Sequence, residues 1–418
     1  MTLASTGRTV NTPCGPSPLS RLTAMPGRDL LFCQPRRPRA GAALTLVFAG
    51  VLLTGAATGS LPGSRPQATR PQTSGATGPA ASTVAQQDVA RAAAEAMAEG
   101  KSPLEAAERA VSRSGDRWAA VYSRDDYEEF QEALDGRYTG VGLSARRERD
   151  GRIDITRVRP DSPAARAGIR KGDRLRSVDG RTVDGLPVTE VVSLLRGDAE
   201  DAPAGTAVTL GLERDRRTWT TTVRRARLST DPVAVSRLSG HATLVQISAF
   251  TKGVGDSVRT AVRTAPPGDG VILDLRGNSG GLVTEAVATA SAFLDGGLVA
   301  TYDADGREHM LRARRGGDTA RPLVALVDGG TMSAAELVTG ALQDRGRAVV
   351  VGAPTFGKGS VQMPRRLPGG SVAELTVGHY RTPNGHTVDG HGITPDVPAD
   401  GDALRRARTV LAGLGQSR

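Results

Sequence analysis

Val271-Ile272-Leu273-Asp274-Leu275-Arg276-Gly277-Asn278-Ser279-Gly280-Gly281 is the stretch on which the reading of this 418-residue chain turns. Its first five residues include four large aliphatic side chains without alternation, the pattern of a strand covered on both faces. The glycine-rich turn behind it can present backbone N–H groups to a ligand, because no Cβ blocks close approach. Working outward, residues 242–246, 323–327 and 348–351 read as further strands. Helical patterns lie between them, one ending at Arg263 and others over 283–293 and 334–343. Strands alternating with helices at this spacing predict an α/β layered core, assigned to residues 229–418.

Upstream the texture differs. Residues 138–146, 152–158, 174–178 and 206–213 carry β-type patterns, with a helix over 188–195, and mark off a unit at 138–228. Before it, the Ala-rich segment 83–99 suits a helix. Ser102-Pro103-Leu104-Glu105 opens a second one with a serine cap and proline in the first turn, and 127–134 reads as a third. Together they form a small helical region at 85–137. Residues 60–84 are rich in Pro, Gly, Ser, Thr and Gln and read as a flexible linker. The expected fold class is therefore α+β and multidomain.

Residues 40–59 contain no charge and follow Arg36, Arg37 and Arg39. That length suits one bilayer crossing, and the arginines predict that the tail 1–39 stays inside. The body then lies outside the cytoplasm, on a single-pass signal anchor in the cell membrane. A cleaved signal peptide is the alternative, and would make the body a secreted one. Cys14 and Cys33 both precede this segment, so the body forms no disulfide and no thiolate metal site.

The net charge is +10, but the first 70 residues hold eight arginines and one acid and carry +7 of it. A nucleic-acid binder concentrates charge on a folded face, so that class is set aside. At 3% aromatics the chain also lacks the rings for a single-strand stacking surface. The histidines, His241, His309, His379, His386 and His391, show no metal-ligand spacing, and no metal or other cofactor is implied. Trp118 and Trp219 read as packing residues.

Three segments in order, Tyr138-Thr139-Gly140-Val141-Gly142-Leu143, Asp161-Ser162-Pro163-Ala164-Ala165-Arg166-Ala167-Gly168-Ile169 and Gly172-Asp173-Arg174-Leu175 with Val178-Asp179-Gly180, resemble a PDZ domain. A Gly-x-Gly loop entering a strand can turn consecutive N–H groups onto one anion; an ordinary tight turn is the other reading. The resemblance implies that the anion is a peptide's C-terminal carboxylate, held at Gly140, Val141, Gly142 and Leu143 with the peptide added as an edge strand. Residues 198–204 add an acidic, loop-like insertion to the usual pattern.

Two serines compete as nucleophile. Gly277-Asn278-Ser279-Gly280-Gly281 resembles the nucleophile motif of trypsin-like proteases, which also need a histidine base and a buried aspartate. Upstream of Ser279 the body offers only His241, expected inside a strand, so Ser279 is set aside. The second candidate lies in Gly330-Thr331-Met332-Ser333-Ala334-Ala335-Glu336-Leu337, followed by Pro354-Thr355-Phe356-Gly357-Lys358-Gly359-Ser360-Val361-Gln362. With Asp274–Gly281 and Gly392-Ile393-Thr394-Pro395-Asp396-Val397, these segments resemble the carboxyl-terminal processing (tail-specific) protease family over about residues 85–400. The resemblance implies a serine endopeptidase with a Ser–Lys dyad and an α/β core of the crotonase or Clp-protease kind. It makes Ser333 the nucleophile, Lys358 the base and Gln362 its orienter.

The residues themselves bear on the same point. Ser333-x-x-Glu336 is a capping box, and on that motif alone the serine is a helix cap. Lys358 weighs against this. The chain has only four lysines, and in so Arg-rich a composition a lysine used for solubility should have drifted to arginine. A lysine used as a base cannot, because guanidinium stays protonated. Burial would have to bring its pKa down from about 10.4.

Expected oxyanion donors are the backbone N–H groups of Gly280 and Ala334, with Gly281 or Ser279 as the neighbour. The expected partners are polypeptides with exposed C-termini; an oligomer is left open. The alternatives are an inactive PDZ scaffold of the envelope and, more remotely, a CoA-dependent relative of the core.

Overall fold

The computed structural model describes residues 79–416 apart from 149, 198–202 and 305. The expected tail, membrane segment and most of the linker lie outside these residues, as does most of the 198–204 insertion. Among the described residues no helix is long and apolar enough to cross a membrane.

The sheet that carries Gly270–Asp274 has six strands. Their order is Val233–Leu238, Ala242–Ile247, Gly270–Asp274, Leu323–Val327, Val349–Gly352 and Val397–Pro398. The first pair is antiparallel and the rest are parallel. Val271 and Leu273 point to one face, into a core shared with helices Val254–Thr264, Val283–Ala290 and Ala334–Asp344. Ile272 points to the other, against helix Ala403–Gln416. Cover on both faces is why the strand reads as an unbroken apolar run.

A second sheet lies alongside. Val372–Arg381 is its spine, pairing with Ala120–Tyr122, with Leu298–Ala304 and with Ser360–Arg366. Helices Pro79–Ala98 and Pro103–Arg113 cover it through Val89, Ala93, Ala107 and Val111, packed on Ala373 and Leu375. The N-terminal helices thus share a core with the chain's C-terminal part.

Residues 143–224 form a third sheet, of six strands, with helix Val188–Arg196 packed on it. Its entry and exit run side by side, because Arg137–Gly140 pairs antiparallel with Ala226–Ser229.

Several expectations need correction. The first helix begins at Pro79, so residues 79–84 are helix and not linker. The strand expected over 138–146 breaks at Gly142, whose φ is +83°. The helix expected over 283–293 ends at Ala290. His241 is not in a strand; it sits at φ +55° just before Ala242.

Candidate active site

Strands Gly270–Asp274 and Leu323–Val327 are parallel, so the turns that follow them emerge at the same carboxyl edge, where open α/β sheets bind ligands. The two turns are tied together. The Thr331 hydroxyl donates to the Leu275 carbonyl (2.9 Å), the Met332 N–H to the Asn278 carbonyl (2.8 Å) and the Gly277 N–H to Asp328 (2.9 Å).

Ser333 stands at the N-terminus of helix Ala334–Asp344 with φ +59° and ψ −117°, a conformation that costs a non-glycine residue about 1–3 kcal/mol. Its N–H donates to Glu336 at 2.8 Å, and the Tyr380 hydroxyl donates to its carbonyl at 3.1 Å. The capping-box arrangement of Ser333 and Glu336 is in place, yet the buried Ser333 hydroxyl makes no well-formed hydrogen bond among the described residues. A serine kept only as a cap would not leave its oxygen unused.

Glu336 is fully buried. Its Oε2 accepts the N–H of Ser333 (2.8 Å) and of Lys358 (2.9 Å), and Oε1 accepts the Gly357 N–H (2.7 Å) and the Thr355 hydroxyl (2.5 Å). Burial pushes the carboxyl up, and these donors pull the other way. One oxygen therefore holds the backbones of Ser333 and Lys358 together.

The Lys358 side chain is 1% exposed, and its Nζ lies 4.8 Å from the centre of the Trp118 ring. Such burial disfavours the charged form of an amine. Glu374 is also fully buried, and neither of its oxygens has a well-formed hydrogen bond. Burial pushes its carboxyl up to about 8, against the pull of Lys358 and of the Tyr127 hydroxyl. The Lys358 charge and the Glu374 carboxyl thus act on each other inside the same buried region.

Gln362 is buried on the strand that follows Lys358. Its Nε2 donates to the Ser360 and Thr376 hydroxyls at 2.9 and 3.0 Å, which sets the amide's orientation.

Gly280 lies where it was expected: a Cβ there would come within 3.0 Å of the Ser333 Cβ and 3.2 Å of the Ala334 nitrogen. Its N–H donates to Asn278 Oδ1 at 2.9 Å. Ala334 is the first residue of its helix, where N–H groups have no intrahelical partner. The Ser279 and Gly281 amides donate to nothing among the described residues.

Ser279 is far from the one histidine that precedes it in the body. His241 precedes Ala242 at the opposite, amino edge of the parallel strands, and Gly270 N–H donates to its carbonyl.

Where the third unit meets the rest of the chain, a groove of about 210 Å³ is lined by Gly140, Val141, Gly142, Leu143, Val188 and Leu195, and also by Ser248, Ala249 and Thr251. The Val141 and Gly142 amides donate to nothing among the described residues.

Residues 241–399 match the model of peptidase family S41, and residues 155–213 that of the PDZ domain. The chain is 33% identical over 340 residues to a probable CtpA-like serine protease of Staphylococcus haemolyticus, covering 75% of this chain and 67% of that protein. It is 31% identical over 324 residues to a carboxy-terminal-processing protease of Bartonella bacilliformis, covering 75% and 73% respectively. A solved structure, that of a photosystem II D1 C-terminal processing protease, is 27% identical with a TM-score of 0.47, over 74% of this chain and 86% of that one. This chain belongs to the carboxy-terminal-processing proteases of family S41. It is a serine-type peptidase with a PDZ domain.

Residue-by-residue reading missed three residues around Ser333 and Lys358. Trp118, read as packing, turns its ring to the amine and also meets Phe356 edge-on at 5.8 Å. Glu374 and Tyr380 lie on a strand that was not foreseen. Glu336 was noticed only as half of a cap, although its carboxylate also anchors Lys358.

Proposed function

We propose that Ser333 is the nucleophile and Lys358 the general base of an endopeptidase that takes polypeptides by their C-termini and cuts near that end. The observation that carries this is the Glu336 oxygen shared by the N–H groups of Ser333 and Lys358, beside a buried serine hydroxyl with no well-formed hydrogen bond. The neutral Lys358 amine takes the proton of that hydroxyl. Ser333 Oγ attacks the scissile carbonyl, the ammonium returns the proton to the leaving amine, and water then hydrolyses the acyl-enzyme. The Ala334 N–H, at a helix start that favours negative charge, stabilises the oxyanion together with the Gly280 amide, with Gly281 or Ser279 as the neighbour. Gln362, its nitrogen held by two hydroxyls, offers its oxygen to the Lys358 amine.

The groove at Gly140–Leu143 receives the substrate's tail. Two unused amides suit its carboxylate, and Val188 and Leu195 suit an apolar last side chain. The arginine-flanked apolar segment at 40–59 supports an anchor, with the body outside the cytoplasm acting on exported polypeptides.

Peptides with an apolar C-terminal residue test the tail-binding step. Wild type should cleave the free-acid peptide with a KM at least about tenfold below that of its C-terminal amide, since a charge-assisted contact contributes about 1.5–3 kcal/mol. Gly142→Ala, with φ +83° and a Cβ 2.2 Å from that of Ser162, should erase the difference while Ser333 still reacts with a fluorophosphonate. Equal KM values for acid and amide in wild type would contradict tail binding.

A further inference from the structure

Two groups of the proposed site, Gln362 and the Trp118 ring, trace back to one carboxylate, which lies 242 residues upstream of Lys358 in the sequence. Asp116 lies in the loop after helix Pro103–Arg113. Its Oδ1 accepts the Thr376 hydroxyl at 3.0 Å, and its Oδ2 accepts the Thr376 N–H at 3.0 Å. Thr376 stands opposite Gln362 in the antiparallel pair of Ser360–Arg366 with Val372–Arg381. The Thr376 oxygen in turn accepts from Gln362 Nε2 at 3.0 Å. Donors and acceptors run one way along this chain: amide nitrogen to hydroxyl, hydroxyl to carboxylate. A hydroxyl that has given its proton to a carboxylate can only accept from Gln362, so the amide's nitrogen, not its oxygen, must face it.

The same carboxylate sets the second group. Asp116 Oδ1 also accepts the N–H groups of Trp118 at 3.0 Å and of Ala119 at 3.1 Å, which fixes the backbone whose indole ring lies 4.8 Å from Lys358 Nζ. The ring is held as well by Phe356, two residues before the lysine.

We infer that Asp116, acting through Thr376, is a positioning residue for the reaction: the N-terminal helical segment orients Gln362 and places the Trp118 ring, and so completes the surroundings of Lys358. The inference rests on Lys358 being the base. On this reading the helices at 79–113 are part of the active centre, and a core lacking them would hold the serine and the lysine without setting the lysine's orientation.

Thr376→Val tests the link alone, because it removes the hydroxyl and keeps both the shape and the backbone bond to Asp116. Two rates are read on the full chain: kcat on a tailed peptide, and phosphonylation of Ser333 by a small fluorophosphonate, which does not need the peptide groove. Both should fall together, about 10- to 100-fold, with KM nearly unchanged, as expected when a catalytic group is misplaced by a fraction of an ångström to 1 Å. Thr376→Ser, which restores the hydroxyl, should return both rates to within about threefold of wild type.

The inference is overturned if Thr376→Val keeps wild-type rates, or if Thr376→Ser is as slow as the valine variant. It is equally overturned if the rates fall only in step with a collapse in Tm, which would make the link a support of the fold alone. Failure of the underlying reading looks different: wild type itself would then not be labelled at Ser333.

Discussion

Ser333→Ala should lower kcat/KM on a tailed peptide by roughly 10⁴-fold or more, the scale on which loss of a nucleophile acts. The fold should barely respond. The hydroxyl makes no well-formed hydrogen bond, and alanine bears the positive φ no worse than serine does. Lys358→Arg should be nearly as inactive, although it keeps a long nitrogen-bearing side chain, because a guanidinium cannot accept the serine's proton near neutral pH. Ser279→Ala should stay within a few-fold of wild type, since the nearest upstream histidine lies at the opposite edge of the sheet. If Lys358→Arg retained more than about a tenth of wild-type activity, the general-base role would be wrong.

Glu336→Gln should have the next largest effect, on stability and activity together. Each Glu336 oxygen receives two donors, three of them backbone N–H groups and one the Thr355 hydroxyl. A carboxamide keeps one accepting oxygen, so its NH₂ end must face two donors whichever way it is turned. Each buried donor left unsatisfied costs about 1–3 kcal/mol. A loss of roughly 3 kcal/mol corresponds to a fall in Tm of about 5–10 °C. Because the Ser333 and Lys358 backbones hang from one of those oxygens, kcat should fall by around 100-fold, even well below the variant's Tm. A variant with wild-type Tm and kcat would show that Glu336 anchors neither.

How much of this was legible beforehand depends on how far apart the partners lie in the chain. The run 271–275 and the helix after Ser333 announce themselves through local pattern, because burial on both faces and a capping box both leave marks within a few residues. Ser333 and Lys358 were found through the resemblance of their motifs and the scarcity of lysine, not through periodicity.

The hairpin Leu298–Ala304 with Arg307–Arg312 was not foreseen. Its second strand, Arg-Glu-His-Met-Leu-Arg, is exposed along most of its length, so no apolar alternation marks it. Asp116 and Trp118 could not have been linked to Gln362 and Lys358 by any local rule, since the bond from Asp116 to Thr376 spans 260 residues. The pairing of Ala120–Tyr122 with Val372–Arg381, together with the packing of the N-terminal helices on that sheet, brings those two parts of the chain together.

The central claim is that one buried hydroxyl is activated by one buried amine. It is tested most directly by reacting the full chain with a fluorophosphonate near neutral pH and mapping the adduct by peptide mass spectrometry, in wild type and in Lys358→Arg. The account predicts a single adduct on Ser333 that forms in wild type and is nearly absent from Lys358→Arg. An adduct on Ser279, or equal labelling of Ser333 in both proteins, would contradict it.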